Sequence, residues 1–241
     1  MHKAIIPLLY VLIFSVSNLF AGNGSKPHYN DKDINHIVSQ LTLEQKARLL
    51  VGCPGSDKGV SHIVAGYTFP IDSLDIPSIN LADGPVGVRI TPVLPNKPYT
   101  SYCTCFPSTT ALAATWNKDI ARLEGNAIGD EALAYGVDIV LTPGINIMRN
   151  PLCGRNFEYF SEDPYLSGIM GAAMINGIQD KGIGASLKHF IANNQQTGKL
   201  YNDARISQRA IREIYLKGFE ICIKNSDPWT VMGSYNKIGG Q

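Results

Sequence analysis

The stretch GIGASLKHFIANN, residues 182–194, decides the fold. Its first part, residues 183–187, is short and built from apolar or small residues, which is typical of a strand covered on both faces of a sheet. A lysine and a histidine, Lys188 and His189, follow directly. The stretch therefore predicts a buried strand whose carboxyl end carries two polar side chains.

Three other runs have the same character, and they cover residues 78–82, 137–141 and 230–234. Polar or charged residues follow each of them: Asp83 after the first, Asn146 and Arg149 after the second, Tyr235 and Asn236 after the last. The spacing predicts four strands, about fifty residues apart, with chemistry-bearing side chains at their carboxyl ends.

Helical patterns lie between these strands. One begins after Thr42, the expected N-cap, and places Leu49 and Leu50 on its apolar side. A helix over 164–179 follows the cap signal of Asp163 and a proline. Two more cover residues 117–134 and 207–224, and their expected apolar positions are Ile120, Leu123, Ala127, Ile128 and Ala132, then Ile211, Ile214, Tyr215, Phe219 and Cys222.

Alternating strands and helices predict βαβ units and a parallel sheet, which both an open doubly wound sheet and a closed eight-stranded barrel satisfy. The barrel is favoured because no glycine-rich dinucleotide or phosphate loop follows a strand, and because polar residues end several strands. Eight strands at this spacing need a longer chain. We therefore expect an α/β fold that is a partial TIM-like (β/α)8 barrel over residues 41–241.

The first 22 residues differ from the rest. His2 and Lys3 precede an almost wholly apolar run over residues 4–20, and the small residues Ala21 and Gly22 follow. This order is typical of a secretory signal peptide, and a membrane anchor is the alternative. No basic stop-transfer cluster follows the run, so we expect a signal peptide at 1–22, a linker at 23–40, and a secreted or periplasmic protein without membrane contact once the signal is removed.

Composition excludes several classes. Apolar residues make up 44% of the chain and charged residues 17%, which indicates a globular protein. The 21 Lys and Arg nearly balance the 20 Asp and Glu, so no general attraction to nucleic acid or anionic lipid is expected. Five cysteines allow one disulfide at most in our interpretation, and no C-x-x-C pair or histidine-rich tract suggests zinc.

The side chains at the predicted strand ends suit a neutral polyol such as a sugar. A carboxylate accepts hydrogen bonds from two adjacent hydroxyls, while Lys and Arg donate to neighbouring oxygens. Each residue also has a simpler explanation on its own. In these explanations Asp83 is a turn residue before Gly84-Pro85, Arg155 and Glu158 are an ordinary ion pair, and Lys188 is a solvated surface residue.

Longer strings select between these explanations, and they are LADGPVGVR (81–89), CTCFPSTTALAATWN (103–117), NPLCGRNFEYFSEDPYLSG (150–168), GIGASLKHFIANNQQT (182–197), RAIREIYLKGFE (209–220) and VMGSYNKIGG (231–240). They resemble the N-terminal catalytic domain of glycoside hydrolase family 3, in order and spacing, over about residues 41–241. The resemblance is closest to the bacterial β-glucosidases of that family.

The resemblance implies that Asp83 binds two hydroxyls of the non-reducing-end sugar. It also implies sugar contacts for Arg89, Arg155, Lys188 and His189, and a pocket lined by Met232 and Tyr235. Lys199 stands where the family usually has an arginine, so it keeps the charge but loses the planar fork of donors. Arg149 lies beside this set without a clear counterpart.

The implied reaction is retaining hydrolysis of a β-glucoside or oligosaccharide by two carboxyl groups about 5–5.5 Å apart, with no metal or organic cofactor. The family's nucleophilic aspartate follows the Ser-Tyr-Asn motif by a few tens of residues, and its acid/base glutamate lies further on. Both are therefore expected beyond Gln241, the last residue of the sequence. We expect no catalytic residue among these 241 residues, and no activity from them alone.

Two alternatives stay open. β-Xylosidase or arabinosidase activity fits because family members share the residues that hold the sugar. A non-catalytic sugar-binding relic also fits. Activity on amino sugars is disfavoured, because residues 190–194 lack the second histidine that those enzymes carry after the Lys-His pair.

Overall fold

A computed structural model describes residues 31–54, 65–90 and 102–241. The predicted signal peptide, residues 1–22, lies outside the described residues, as does the first part of the predicted linker. The second part of that linker is helical, since α1 spans Asp31–Gln40. In the ranges that the structure describes, no helix is long and apolar enough to cross a membrane.

Six strands form the main sheet of the described residues, and they are β1 Cys53–Pro54, β2 Gly66–Tyr67, β3 Asn80–Asp83, β4 Ile139–Leu141, β5 Gly184–Phe190 and β7 Thr230–Gly233. They lie side by side in this order. The first two pair antiparallel and continue antiparallel onto β3, whereas β3, β4, β5 and β7 are parallel. A separate parallel pair joins β6, Asp203–Ala204, to β8, Lys237–Ile238. The predicted partial α/β barrel is confirmed.

The register of the parallel strands determines which side chains meet. Asp83 pairs with Leu141 across β3 and β4, and Lys188 pairs with Met232 across β5 and β7. Because parallel strands end at the same edge of a sheet, this register collects the polar residues that follow each strand on one rim. A bulge lies in β5 between Lys188 and Phe190, where the register with β7 shifts.

The predicted helices are present, together with a short additional one over residues 109–114. They are α2 Leu43–Leu50, α3 Thr109–Ala114, α4 Lys118–Ala134, α5 Pro164–Gln179, α6 Gln208–Ala210 and α7 Lys217–Ser226. Their caps follow from the sequence. Thr42 caps α2 in a reciprocal capping box with Gln45, and Asp163 caps α5 by accepting from the Tyr165 amide. A π-helical turn, Ile211–Tyr215, joins α6 to α7 where one continuous helix was predicted.

The buried face of α4 differs from the prediction. Ile120 and Leu123 are exposed, while the buried residues of the helix are Ala121, Glu124, Gly125, Ile128, Gly129 and Ala132. Gly125 lies on the buried face, directly against α5. A Cβ at this position would lie only 2.3 Å from the Met174 carbonyl oxygen of that helix. The helices therefore touch backbone to backbone, which a face of large side chains would prevent.

Two further expected core positions are wrong. Leu50 is 88% exposed. The leucines that pack inward near α2 are Leu41, which is buried, and Leu49, which is half-buried. Ile214 is 40% exposed, because the π-helical turn rotates the helix there and leaves Tyr215 facing inward.

The core lies between the parallel strands and helices α4, α5 and α7. Strands contribute Ala82, Val140, Ala185 and Leu187, and the helices contribute Ile128, Met170, Met174, Ile175, Ile178, Phe219 and Cys222. All five cysteines are unpaired; Cys53, Cys153 and Cys222 are buried, Cys103 is half-buried and Cys105 is exposed. An apolar layer thus lies beneath the rim of strand ends and supports it.

Candidate active site

A cavity of about 490 Å³ opens at the carboxyl ends of the parallel strands. Its walls come from the segment after β3, from residues 103–105, from residues 155–158 and from β5. Four of the predicted site residues, Asp83, Arg89, Arg155 and Lys188, line this one cavity although they are far apart in the sequence. The fold therefore brings two residues of the strand-end pattern, Asp83 and Lys188, together with two arginines that the family resemblance implied.

Asp83 is held at the opening of the cavity by a tight loop. The Arg89 amide donates to the Asp83 carbonyl oxygen at 2.7 Å, and the Arg89 guanidinium lies 3.8 Å from the Asp83 carboxylate. Glycine is required at position 87, where φ is +116° and a Cβ would lie 2.2 Å from the Thr104 carbonyl oxygen. The Asp83 side chain stays 40% exposed, so its oxygens can reach a ligand.

Glu158 connects two cations in the wall of the cavity. One carboxylate oxygen lies 3.0 Å from the Lys188 ammonium, and the other accepts from the Arg155 Nε. The side chains of Glu158 and Lys188 are only 1% and 2% exposed. Burial lowers the pKa of Lys188, and Glu158 opposes this shift. Glu158 was not among the predicted site residues, although its position three residues after Arg155 was the available signal.

His189 is fully buried behind this wall. The Asn146 side chain bonds both its backbone groups, accepting from the His189 amide and donating to the His189 carbonyl oxygen, each at 2.9 Å. Burial and the nearby cations Arg155, Lys188 and Lys199 lower the pKa of His189 to about 2. The ring is therefore neutral, and its Nε2 has no hydrogen-bond partner among the described residues.

Tyr235 lies between Arg155 of the cavity wall and two other predicted residues, His189 and Lys199. Its ring lies 5.8 Å from the His189 ring, 4.0 Å from the Lys199 ammonium and 5.9 Å from the Arg155 guanidinium. Met232 is half-buried one strand away from Lys188. His189, Lys199, Met232 and Tyr235 do not line the Asp83 cavity themselves. Tyr235 lies against Arg155 and Met232 pairs with Lys188, whereas His189 and Lys199 lie against Tyr235.

Arg149 belongs elsewhere. Its guanidinium donates to the Tyr215 hydroxyl at 2.7 Å, and it lines a different cavity together with Asn194 and Arg205. Among the residues that the structure describes, no group of three or more His, Cys, Asp or Glu could hold a metal ion. The Asp83 cavity thus offers one partly exposed carboxylate and several cationic donors, a set that can bind adjacent hydroxyl groups.

The last residues form a turn after β8. The Ile238 amide donates to the Gln241 carbonyl oxygen at 2.9 Å, and the Gln241 amide donates back to the Ile238 carbonyl oxygen at 3.3 Å. Gln241 is exposed and does not line the Asp83 cavity. The expectation that the catalytic aspartate and glutamate lie beyond Gln241 stays a prediction, because the described residues do not test it.

Known proteins match most of this chain, including the residues of the cavity. The family model described as "Glycosyl hydrolase family 3 N terminal domain" matches residues 97–241. The thermostable β-glucosidase B of Acetivibrio thermocellus is 45% identical over 216 residues, which cover 87% of this chain and 27% of that protein. An exo-α-(1→6)-L-arabinopyranosidase of Bifidobacterium longum is 44% identical over 211 residues, covering 84% of this chain and 26% of its own length.

Solved structures agree with the sequence comparisons. The β-glucosidase 3B of Thermotoga neapolitana in complex with glucose has a TM-score of 0.82 and 50% identity, over 86% of this chain and 30% of that one. The 241 residues span between a quarter and a third of the length of these relatives. The family predicted from the quoted strings is confirmed: the chain belongs to glycosyl hydrolase family 3, through the N-terminal domain of that family.

Proposed function

We propose that the protein is a glycoside hydrolase that releases glucose from the non-reducing end of β-glucosides, and that the Asp83 cavity binds this glucose. The observation that carries the proposal is the convergence of Asp83, Arg89, Arg155 and Lys188 on one cavity at the strand ends. Relatives named β-glucosidase and a similar structure described with bound glucose support it.

Asp83 is the residue that selects the sugar. Its carboxylate is exposed enough to accept hydrogen bonds from two adjacent hydroxyls, while Arg89 stays close on one side. Lys188 and Arg155 donate to the oxygens deeper in the cavity. Each such charged hydrogen bond contributes about 1.5–3 kcal/mol once water is excluded, so the set distinguishes one hydroxyl arrangement from another.

The remaining predicted residues lie beside or behind the wall of the cavity. His189 is neutral. When its Nδ1 carries the hydrogen and faces the Asn146 side-chain oxygen at 3.4 Å, its unpartnered Nε2 is able to accept a hydrogen bond. Tyr235 and Met232 offer apolar surface. Lys199 replaces the planar donor fork of an arginine, so it contributes charge with less directional hydrogen bonding.

The reaction is retaining hydrolysis by a carboxylate nucleophile and a carboxyl acid/base. Neither carboxylate at the cavity is available for these roles. Glu158 has both oxygens against cations, and Asp83 is placed to accept from sugar hydroxyls. We therefore assign neither Asp83 nor Glu158 to these roles, and we expect the 241 residues alone to bind sugar without turnover.

A second candidate activity is release of a pentopyranose. Two relatives at 44% and 43% identity are named exo-α-(1→6)-L-arabinopyranosidases. A pentopyranose lacks the exocyclic hydroxymethyl group of glucose, so the two substrate classes differ at one edge of the ring. Comparing kcat/KM for aryl β-glucoside, β-xyloside and α-L-arabinopyranoside separates them.

Residues 1–22 carry the signal-peptide pattern, and we propose that the protein is exported to the periplasm or the medium. Fractionation of the native host with an antibody to the protein tests this, and N-terminal sequencing of the mature form locates the cleavage site. Recovery of the protein from the cytoplasm with its N-terminus intact would contradict export.

The test of the proposed activity uses the full-length protein with an aryl β-glucoside. We expect release of glucose, and proton NMR should show the β-anomer as the first product. In Asp83→Ala we expect kcat/KM to fall by at least about a hundredfold, because the substitution removes two charged hydrogen bonds. Hydrolysis that is absent in the full-length protein, or that changes less than tenfold in Asp83→Ala, would overturn the proposal.

A further inference from the structure

We propose that Glu158 is a positioning residue for the sugar site: by binding Arg155 and Lys188 at once, it fixes both donors in direction. The inference rests on the proposed function, because it concerns how the same cavity holds its sugar. Glu158 acts through these two residues and does not contact the sugar.

The geometry separates Glu158 from a catalytic carboxyl group. A nucleophile needs an oxygen directed at the anomeric carbon, and a general acid needs a proton to donate. One oxygen of Glu158 lies 3.0 Å from the Lys188 ammonium and the other accepts from the Arg155 Nε. The side chain is 1% exposed and both oxygens lie against cations, so neither oxygen is free to attack a sugar.

The charges around Lys188 show why the carboxylate is needed. Lys188 is almost completely buried, and burial favours its uncharged form. Arg155 pushes the pKa of Lys188 further down, while Glu158 and, more weakly, Asp83 push it up. His189, the next residue, is neutral. Glu158 is therefore the main group that keeps a proton on Lys188.

The arrangement also fixes geometry. A lysine ammonium is a mobile point charge on a flexible stem, and an arginine presents its donors in a plane. Because one rigid carboxylate binds both, the ammonium and the guanidinium hold a constant separation along the cavity wall. A sugar that meets two pre-oriented donors loses less free energy to ordering them than a sugar that meets mobile ones.

The test compares Glu158→Gln with Glu158→Asp in the full-length protein, and Glu124→Gln is the matched control. The control makes the same chemical change at a buried glutamate of α4 that does not line the cavity. For Glu158→Gln we expect weaker glucose binding by about tenfold or more, because the sugar must then order two mobile donors, and an alkaline limit of kcat/KM shifted to lower pH. Glu158→Asp keeps the charge but shortens the reach, so its affinity falls while its alkaline limit stays near that of the wild type.

A second measurement separates this inference from the proposed function. The 13Cε chemical shift of Lys188, followed by NMR against pH without sugar, reports directly when Lys188 loses its proton. We expect that midpoint to be lower in Glu158→Gln than in the wild type and unchanged in Glu124→Gln. Failure of the wild type to bind or hydrolyse a glucoside overturns only the proposed function.

The inference is overturned if Lys188 titrates at the same pH in Glu158→Gln and wild type, or if that variant folds and binds glucose with wild-type affinity. If Glu158→Gln does not fold, Glu158→Asp decides: unchanged affinity in that variant contradicts the positioning role. A control that shifts the alkaline limit as strongly as Glu158→Gln also overturns it, because the effect would then not be specific to the cavity.

Discussion

Two buried glutamates occupy opposite situations in this protein. Glu158, in the cavity wall, is 1% exposed and lies between two cations. Glu124, in the face of α4 that packs inward, is 7% exposed, and its Oε1 has no hydrogen-bond partner among the described residues. Burial alone raises the pKa of Glu124 to about 7.

The difference shows two ways of offsetting the free-energy cost of burying a carboxyl group. Glu158 lies against a pair of cations, and this network orients the donors of the cavity. Glu124 instead keeps a proton well above the usual pH, because a neutral carboxyl group costs less to bury than a charge. The ion-pair network of Glu158 belongs to the cavity wall, whereas Glu124 lies in the helix layer behind the sheet.

The largest effect is expected from breaking the buried network on its cationic side. Lys188→Met keeps the length of the side chain but removes its charge, leaving Glu158 with Arg155 alone. Stranding a buried charge costs about 3–5 kcal/mol, which urea unfolding followed by circular dichroism measures. Adding Glu158→Gln to this variant should restore part of the loss. A single variant within about 1 kcal/mol of wild type would show that the network is not tightly coupled.

The next largest effect tests the helix layer around Glu124. Gly125→Ala places a Cβ 2.3 Å from the Met174 carbonyl oxygen, so α4 and α5 must separate. We expect a loss of about 2–3 kcal/mol in the free energy of unfolding, as for other overpacked interfaces. Gly136→Ala is the comparison for crowding, since a Cβ there meets no atom within 4 Å, although its φ of +69° adds strain. Equal or greater stability of Gly125→Ala would contradict backbone contact between the helices.

Glu124→Gln gives a smaller effect, and one that depends on pH. The folded protein holds the Glu124 proton up to about pH 7, whereas the unfolded chain releases it near 4.5. The folded state therefore binds more protons, and this group makes stability fall as pH rises through that window. Glu124→Gln should match wild type at pH 4.5 and exceed it by about 1–2 kcal/mol at pH 8. Thermal unfolding at both pH values measures this, and a pH-independent difference would be inconsistent with it.

The smallest effect is expected at an exposed ion pair that also joins α4 to the end of α5. Arg122 and Asp180 lie 2.7 Å apart, with side chains about half exposed. Since solvent screens such pairs, Asp180→Asn should change the free energy of unfolding by less than about 1 kcal/mol. Urea unfolding of Asp180→Asn and Lys188→Met under the same conditions compares the free energies of unfolding that the two ion pairs contribute. A loss as large as that of the buried network would remove the distinction between the two regions.

Much of the fold follows from local sequence signals. The four parallel strands begin and end within about three residues of the predicted runs, because short apolar segments between turn residues are strong signals. Thr42 and Asp163 set the starts of their helices for the same local reason. The two-residue strands β1, β2, β6 and β8 were missed, since two residues carry no periodicity and their pairing depends on distant partners.

Side-chain surroundings were harder to predict. The inward face of α4 is set by glycines that permit contact with α5, and hydrophobic spacing favoured Ile120 and Leu123 instead. Asp83, Arg89, Arg155 and Lys188 converge as the strand-end rule and the family resemblance implied. Glu158 was interpreted as part of an ordinary pair with Arg155, because the sequence does not show that Lys188 reaches the same carboxylate from β5.

The Asn146 amide has a consequence for how this site can change. It binds both main-chain groups of position 189, so the path of the chain there does not depend on the imidazole. The side chain at position 189 can therefore change without a change in the backbone, and the neighbouring Lys188 keeps its place in the strand. A substitution there alters what packs behind the cavity wall without altering the strand that presents the ammonium group to the cavity.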